Sequence, residues 1–262
     1  MKSFNELLKI KCLDKNNRLC IGLDVDNTKL KNYSMEYMLN FIKDIIESTI
    51  DHCPIYKVNF SFYERHGAEG YKILKKIPEI INKRAITIAD AKRGDIGNSS
   101  LYYAKSIFDY LNYDSVTVSP YMGEDSILPF IEYRNKGVFI LCLTSNKGSN
   151  DFQHLKINDK ELFKFVALKS YKLNKYDNVG LVIGATNKKF LKDIKKISKD
   201  LPWLMPGVGS QGGNLEDSIK IEVNSGLSII NVSRDIIYSG KGTIEDIRKA
   251  SLNYTSKIRE IL

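Results

Sequence analysis

The sequence predicts an α/β fold, a single-domain (β/α)8 barrel of the TIM type, and three observations support this prediction. Short apolar stretches rich in β-branched residues recur along the 262-residue chain, each followed by a polar turn and then by apolar residues at helical spacing. These stretches are too apolar to have one face in water, which is typical of parallel strands covered on both sides. Eight such units in this length favour a closed barrel over the alternative, an open doubly wound sheet.

The elements alternate along one domain, residues 1–262, without a linker or a domain boundary. A first helix at residues 4–13 is expected to close one end of the barrel. The predicted strands are residues 19–25, 55–60, 85–90, 115–119, 137–143, 179–183, 203–206 and 227–232. The predicted helices that follow them are residues 35–50, 67–77, 99–111, 126–135, 160–173, 188–198, 214–224 and 244–261. Residues 144–159 lack periodicity and predict a long loop, typical of a lid or a binding loop.

The composition is that of a globular chain and limits the classes of function. Hydrophobic residues make up 43% of the chain and charged residues 27%. The formal net charge is +9, but the lysines are scattered over predicted helix surfaces, so we expect no nucleic-acid partner. We also expect no membrane association and a cytoplasmic location, because no signal peptide or membrane-spanning run is present. The four cysteines and three histidines show no metal-ligand spacing, so neither a metal nor a redox cofactor is expected.

The most informative local feature is a run of alternating charges at the end of the third predicted strand. Asp90, Lys92 and Asp95 lie in the sequence D-A-K-R-G-D, directly after the apolar residues 85–89. If the backbone stays extended, Asp90 and Lys92 project from the same face, because side chains alternate along a strand. Taken alone, an Asp-x-Lys pair is more often a solvated charged turn. The catalytic interpretation therefore needs support from other strands.

The first two predicted strands bring further polar groups to the same end of the barrel. Asp24 closes the first strand, and Lys57 and Asn59 share one face of the second. Active sites in such barrels lie at the carboxyl ends of the strands, so these carboxylate and ammonium groups are expected to meet at one mouth. Lys57 by itself is equally compatible with a lysine that snorkels from a barrel end. The convergence of three strands favours a catalytic cluster.

A second polar cluster follows the seventh and eighth predicted strands. Residues 206–213 read P-G-V-G-S-Q-G-G, and Arg234 follows the eighth strand. Glycines let backbone N–H groups approach a phosphate closely, and an arginine adds a bidentate contact. The loops after these two strands are a recurrent phosphate site in barrels. The segment matches neither the Walker loop nor the dinucleotide-binding fingerprint, so we predict a phosphate site of the barrel type.

Together these residues resemble the orotidine 5′-phosphate decarboxylase family, and the resemblance extends along almost the whole chain. It is carried by I-G-L-D at 21–24, K-V-N at 57–59, D-A-K-R-G-D-I-G at 90–97, S-P-Y-M-G at 119–123, T-S-N at 144–146, P-G-V-G-x-Q-G-G at 206–213 and S-R at 233–234. The stretch at 119–123 is similar to the longer bacterial branch of the family.

The resemblance implies the decarboxylation of orotidine 5′-phosphate to UMP and CO2 in pyrimidine biosynthesis, without a metal or a cofactor. It implies catalytic roles for Lys57, Asp90, Lys92 and Asp95, with Lys92 protonating C6 of the pyrimidine and Asp95 acting across a homodimer interface. The implied substrate-binding residues are Asp24, Asn59, Ile96, Ser99, Ser145, Pro206, Gln211, Gly212 and Arg234. It also leaves open an association with orotate phosphoribosyltransferase.

Three departures from the family pattern and two rival functions accompany this interpretation. N-S-S at residues 98–100 and Lys147 stand where threonine and proline are expected, and Asp235 follows Arg234 directly. We expect the Asp235 carboxylate to point away from the phosphate. One rival is a Mg²⁺-dependent sugar-phosphate decarboxylase or aldolase of the same fold, which would need an additional metal carboxylate. The other is a non-catalytic nucleotide-binding barrel, which would be expected to lack the charged cluster.

Overall fold

A closed barrel of eight parallel strands forms the centre of the molecule. The computed structural model describes residues 2–209, 212–221 and 227–262. The barrel strands are β1 (Leu19–Gly22), β2 (Ile55–Asn59), β3 (Ile86–Arg93), β4 (Ser115–Val118), β5 (Gly137–Leu143), β6 (Val179–Ile183), β7 (Trp203–Pro206) and β8 (Ser228–Val232). Because β1 pairs with both β2 and β8, the sheet has no edge. The predicted (β/α)8 barrel is confirmed, and the open sheet is excluded.

The helices alternate with the strands. The longer α-helices are Phe4–Asp14, Met35–Thr49, Gly67–Ile81, Gly97–Lys105, Leu162–Leu173, Lys188–Ser198 and Ile244–Ile261. Shorter α-helices are Ser61–Glu64, Leu128–Ile131, Ser149–Phe152, Leu215–Lys220 and Arg234–Ile237, with 3-10 turns at Asn27–Lys29 and Glu124–Ser126 and a π-helical segment at Ser106–Tyr110. Among the described residues, no helix is both long enough and apolar enough to cross a membrane.

β1 ends at Gly22 and not at the predicted residue 25, so Asp24 lies two residues beyond the strand. Two helices and one loop also differ from the prediction. The helix expected at 126–135 is only one turn long, because the chain leaves it through tight turns at Glu132 and Tyr133 to reach β5. The helix expected at 214–224 is described only up to residue 221, and residues 222–224 lie outside the described part. The loop at 144–159 contains the helix Ser149–Phe152 and the strand Lys156–Ile157, which pairs with Lys160–Glu161. Such short elements leave no periodicity in the sequence.

The first helix closes the amino-terminal end of the barrel, as predicted. Phe4, Leu8 and Cys12 pack against residues near the strand starts, and the Phe4 ring meets the Phe139 ring edge-on with 6.1 Å between centroids. Gly137 allows this approach, because a Cβ there would clash with the Phe4 ring. Since this end is filled with apolar side chains, the carboxyl ends of the strands are left as the place for polar chemistry.

Candidate active site

The carboxyl ends of β1, β2 and β3 carry a continuous chain of ion pairs. Lys57 Nζ lies 3.2 Å from Asp24 Oδ1 and 3.2 Å from Asp90 Oδ2. Lys92 Nζ lies 2.7 Å from Asp90 Oδ1, the other oxygen of the same carboxylate. The structure therefore brings four sequence-predicted residues together at the barrel mouth. We call these four residues, Asp24, Lys57, Asp90 and Lys92, the charged network.

The interior of the charged network is buried, and its Lys92 end is open. Lys57 is 4% exposed and Asp90 8%, whereas half of the Lys92 side chain is accessible. Burial opposes the charged form of Lys57, but the Asp24 and Asp90 carboxylates outweigh it and raise the pKa of Lys57. Burial likewise opposes ionisation of Asp90, yet the ammonium groups of Lys57 and Lys92 lower its pKa to about 2. At neutral pH the Lys57–Asp90 pair is therefore ionised.

The backbone at the end of β3 is not extended, which corrects the assumption behind the sequence argument. β3 runs on to Arg93, and its pairing with β4 shifts register between Ala89 and Arg93. Lys92 has a left-handed conformation with φ of 46°, which costs on the order of 1 kcal/mol for a residue with a side chain. Asp90 and Lys92 meet because the bulge redirects Lys92, and not because of simple strand alternation.

Thr117 on β4 joins the charged network, and the sequence analysis missed it. Its hydroxyl donates to Asp90 Oδ1 at 2.9 Å and accepts the backbone N–H of Lys92 at 3.0 Å. The available signal was the alternation of polar and apolar residues in S-V-T-V-S at 115–119. In a strand buried on both sides, such alternation indicates that the polar residues face a polar site.

Asp95, Ile96 and Ser99 lie beyond the bulge and outside the charged network of their own chain. The Asp95 carboxylate accepts the N–H of Ile96 at 2.8 Å and forms no ion pair within the described residues. Ile96 is 58% exposed, and Ser99 is exposed in the first turn of Gly97–Lys105. Ile96 and Ser99 are accordingly on the surface, and Asp95 is half-buried.

Asn59 ends β2, and Ser145 lies beyond the end of β5, with β3 and β4 between them in the barrel. The Asn59 side-chain oxygen accepts from the Ser61 backbone N–H at 3.2 Å, next to the start of the helix Ser61–Glu64. Ser145 follows β5 and lines a polar cavity of about 470 Å³. The adjacent Thr144 is held by Gln153, whose side-chain oxygen accepts its N–H at 2.8 Å, and by Asn187, which donates to its carbonyl at 3.1 Å. The sequence analysis missed both of these supports.

The predicted phosphate segment begins at the end of β7, and the structure describes its residues 206–209, 212 and 213. Pro206 ends the strand, and Gly207, Gly209 and Gly212 have φ angles of 97°, 85° and 82°, which explains why glycine occupies these positions. The Gly213 N–H donates to the Gly207 carbonyl at 2.9 Å and closes the loop. Gln211 lies outside the described residues.

Arg234 begins the short helix that follows β8, and its side chain is exposed. The next residue, Asp235, directs its carboxylate to the helix Ile244–Ile261 and to the backbone at Gly209. Its carboxylate accepts from the Tyr254 hydroxyl at 3.0 Å, and it packs so closely on Gly209 that a Cβ there would clash with it. The carboxylate therefore lies between Tyr254 and Gly209, and its orientation away from a bound phosphate stays a prediction.

Comparison with known proteins assigns the family. The sequence model of the "Orotidine 5′-phosphate decarboxylase / HUMPS family" matches residues 17–249. The chain belongs to this family. A curated orotidine 5′-phosphate decarboxylase of Dehalococcoides mccartyi (strain BAV1) is 49% identical over 231 residues, which cover 86% of this chain and 85% of the relative. The orotidine 5′-phosphate decarboxylase of Flavobacterium johnsoniae is 42% identical over 259 residues, 95% of each protein.

A solved structure supports the same assignment within the orotidine 5′-phosphate decarboxylase family. The Leishmania donovani OMP decarboxylase is 35% identical to this chain and superimposes with a TM-score of 0.88. The match covers 99% of this chain and 98% of that one. The similarity in fold thus extends over essentially the full length of both chains.

Proposed function

We propose that the chain decarboxylates orotidine 5′-phosphate to UMP and CO2 in pyrimidine biosynthesis, with Lys92 as the proton donor to C6. The observation that supports this most directly is the charged network, in which Asp90 lies between two ammonium groups at the barrel mouth. The names of the relatives support the same reaction over the sugar-phosphate rival. A non-catalytic barrel would have no need for buried charges, which lose solvation when they are sequestered.

The chemical step requires stabilisation of negative charge on carbon. Loss of CO2 leaves the electron pair of the broken bond on C6 of the pyrimidine. An ammonium group fixed near C6 stabilises this charge as it develops, and it needs no reorganisation because Asp90 already holds it. Lys92 then gives its proton to C6, which completes UMP. Each 1.36 kcal/mol of such differential stabilisation corresponds to about a tenfold gain in rate.

Lys57 and Asp90 orient the proton donor. The fully buried ammonium of Lys57 keeps the Asp90 carboxylate ionised, and Asp90 in turn holds Lys92. Asp90 is also placed near the departing carboxylate of the substrate, where its charge would destabilise the bound ground state. Fixed electrostatic stabilisation of the transition state is the main contribution in our proposal.

The remaining predicted residues bind the other parts of the substrate. Asp24 and Asn59 contact the ribose, and Ser145 forms hydrogen bonds to the pyrimidine. The phosphate is bound beside Pro206 by Gln211, Gly212 and Arg234. The left-handed glycines after β7 support the phosphate role, since they free backbone N–H groups for an anion. Phosphate binding remote from C6 closes the mouth, so that its binding energy contributes to the chemical step.

We further propose a homodimer in which Asp95, Ile96 and Ser99 of each subunit complete the partner's site. The exposure of Ile96 beside the mouth supports this arrangement, as does the 81% exposed Tyr121 in the loop after β4. Mixing an inactive Lys92→Ala subunit with an inactive Asp95→Ala subunit tests it, because a heterodimer contains one intact site. With random reassociation, about a quarter of the normal activity is expected. Mixtures that stay inactive after proven subunit exchange would contradict the shared site.

The proposed reaction is tested by the loss of orotidine 5′-phosphate absorbance with the purified chain. We expect turnover that is unchanged by EDTA, because the proposed steps use only side chains. Absence of turnover would refute the proposed function, and turnover abolished by EDTA would refute its metal-free mechanism. Four further expectations stay predictions of the resemblance. They are one catalytic domain over residues 1–262, a cytoplasmic location, membership of the bacterial branch, and association with orotate phosphoribosyltransferase.

A further inference from the structure

We propose that Thr117 is a positioning residue for this reaction, which fixes the Asp90 carboxylate and the Lys92 backbone relative to each other. Thr117 is buried on β4, and its hydroxyl lies between the two groups, 2.9 Å from Asp90 Oδ1 and 3.0 Å from Lys92 N. The inference deepens the proposed function and rests on it. Thr117 acts through Asp90 and Lys92 and is not itself placed at the reacting atoms.

The pairing of β3 with β4 explains why a side chain is needed at this point. Ala89 pairs with Val116 and Arg93 pairs with Val118, so four residue steps on β3 face two on β4. The ladder is interrupted where Asp90 and Lys92 lie, and the Lys92 N–H bonds to the Thr117 hydroxyl instead of a backbone carbonyl. The hydroxyl therefore supplies the hydrogen-bond partner that a regular sheet would have supplied.

The direction of the hydrogen bonds makes this hydroxyl specific. A backbone N–H can only donate, so the Thr117 oxygen must accept from Lys92 and direct its own proton to Asp90. Asp90 Oδ1 thus accepts from the Thr117 hydroxyl and from Lys92 Nζ. Asp90 Oδ1 therefore holds both ends of Lys92: it bonds the ammonium directly, and it holds the backbone N–H through the Thr117 hydroxyl.

The far end of the bulge is anchored independently of Thr117. The Arg93 carbonyl accepts the Ser119 N–H at 2.7 Å, and the Arg93 guanidinium pairs with Glu64. The guanidinium also lies 5.2 Å from the centroid of the Tyr103 ring. Because Arg93 is fixed on both its backbone and its side chain, removal of the Thr117 hydroxyl is expected to loosen Asp90 and Lys92 without unfolding the strand.

A second buried threonine provides a matched control. Thr87, at the start of β3, donates its hydroxyl proton to Asp114 Oδ2 at 2.8 Å and accepts the Asp114 N–H at 2.9 Å. It has the same donor and acceptor pattern as Thr117, and it is equally buried, but its partner lies at the amino-terminal end of the barrel. Thr87→Val therefore measures the structural effect of losing such a hydroxyl.

The test compares Thr117→Val, Thr117→Ala, Thr117→Ser and Thr87→Val with the wild-type chain. We expect kcat to fall about 10- to 100-fold in the two variants that lack the Thr117 hydroxyl, because small misplacements of reacting groups have effects of this size. UMP affinity should change less than about threefold, and Thr117→Ser should restore most of kcat. Thr87→Val should lower the melting temperature and leave kcat unchanged.

Several outcomes would overturn the positioning role. Near-normal kcat in Thr117→Val, no recovery in Thr117→Ser, or an equal loss of kcat in Thr87→Val would each do so. Failure of both hydroxyl-free variants to fold would show a structural role and overturn it as well. If the wild-type chain does not turn over orotidine 5′-phosphate, the proposed function fails first and the positioning role fails with it.

Discussion

Removal of the buried ammonium of Lys57 should destabilise the fold strongly, because two carboxylates depend on it. Lys57→Met keeps an unbranched side chain one atom shorter and removes the charge that lies 3.2 Å from both Asp24 and Asp90. At an effective dielectric constant of about 20, each ion pair at this distance amounts to about 5 kcal/mol before desolvation. Breaking a buried pair by removal of one partner typically costs about 3–5 kcal/mol, and we expect a loss in that range.

The pH dependence of this loss follows from the pKa of Asp90. In the wild-type chain the two lysines lower the pKa of Asp90 to about 2, against an ordinary 3.8. At any pH well above 3.8, the ionised carboxylate therefore contributes about 2 kcal/mol to the free energy of unfolding. This contribution disappears as pH falls through 2. In Lys57→Met one of the charges that lower the pKa of Asp90 is lost while its burial remains, so we expect that pKa to rise and protonation at mildly acidic pH to recover part of the lost stability.

Urea unfolding followed by circular dichroism at pH 7 and pH 5 measures both effects. The matched control is Lys72→Met, which removes an ammonium 2.6 Å from Glu69 in an exposed ion pair on the helix Gly67–Ile81. That variant should change the free energy of unfolding by less than about 1 kcal/mol. A Lys57→Met variant no less stable than the control, or a loss that grows on acidification, would refute the reasoning.

Two further predictions concern the phosphate site and the barrel scaffold. Arg234→Ala should raise KM for orotidine 5′-phosphate by about tenfold or more through loss of a charge-assisted contact, and an unchanged KM and kcat/KM in steady-state assays would exclude the role. His52 donates to or accepts from Ser251 at 2.8 Å, and burial lowers its pKa to about 4. Because the unfolded chain binds the proton more readily, the free energy of unfolding should fall by up to about 3 kcal/mol between pH 7 and pH 4. His52→Gln should flatten this dependence in urea titrations, and an equally steep dependence in that variant would show that His52 is not its source.

The fold was predictable because strands buried on both sides leave a strong signal. The bounds of β5, β6 and β7 match the predicted residues 137–143, 179–183 and 203–206, since each is an apolar run between polar turns. β3 extends three residues beyond its predicted end at Asp90, because charged residues in a bulge look like a turn in the sequence.

The candidate site was predictable only where sequence position determines spatial position. Asp24, Lys57 and Asp90 could be placed together because the ends of adjacent parallel strands meet. Thr117 could not, since its role depends on a register shift between β3 and β4 that the sequence does not encode locally. Asp95 likewise forms no ion pair within the described residues, and its proposed role depends on a second subunit.

The most direct test of the central claim is the single-turnover rate of Lys92→Ala with orotidine 5′-phosphate, measured beside its affinity for UMP. Lys92 is half exposed, so the substitution should leave the fold and UMP binding measurable. The variant loses both the proton donor and the positive charge that stabilises the negative charge developing on C6. Decarboxylation should therefore slow by at least about a thousandfold. A variant that decarboxylates the substrate at near the wild-type rate would contradict the account.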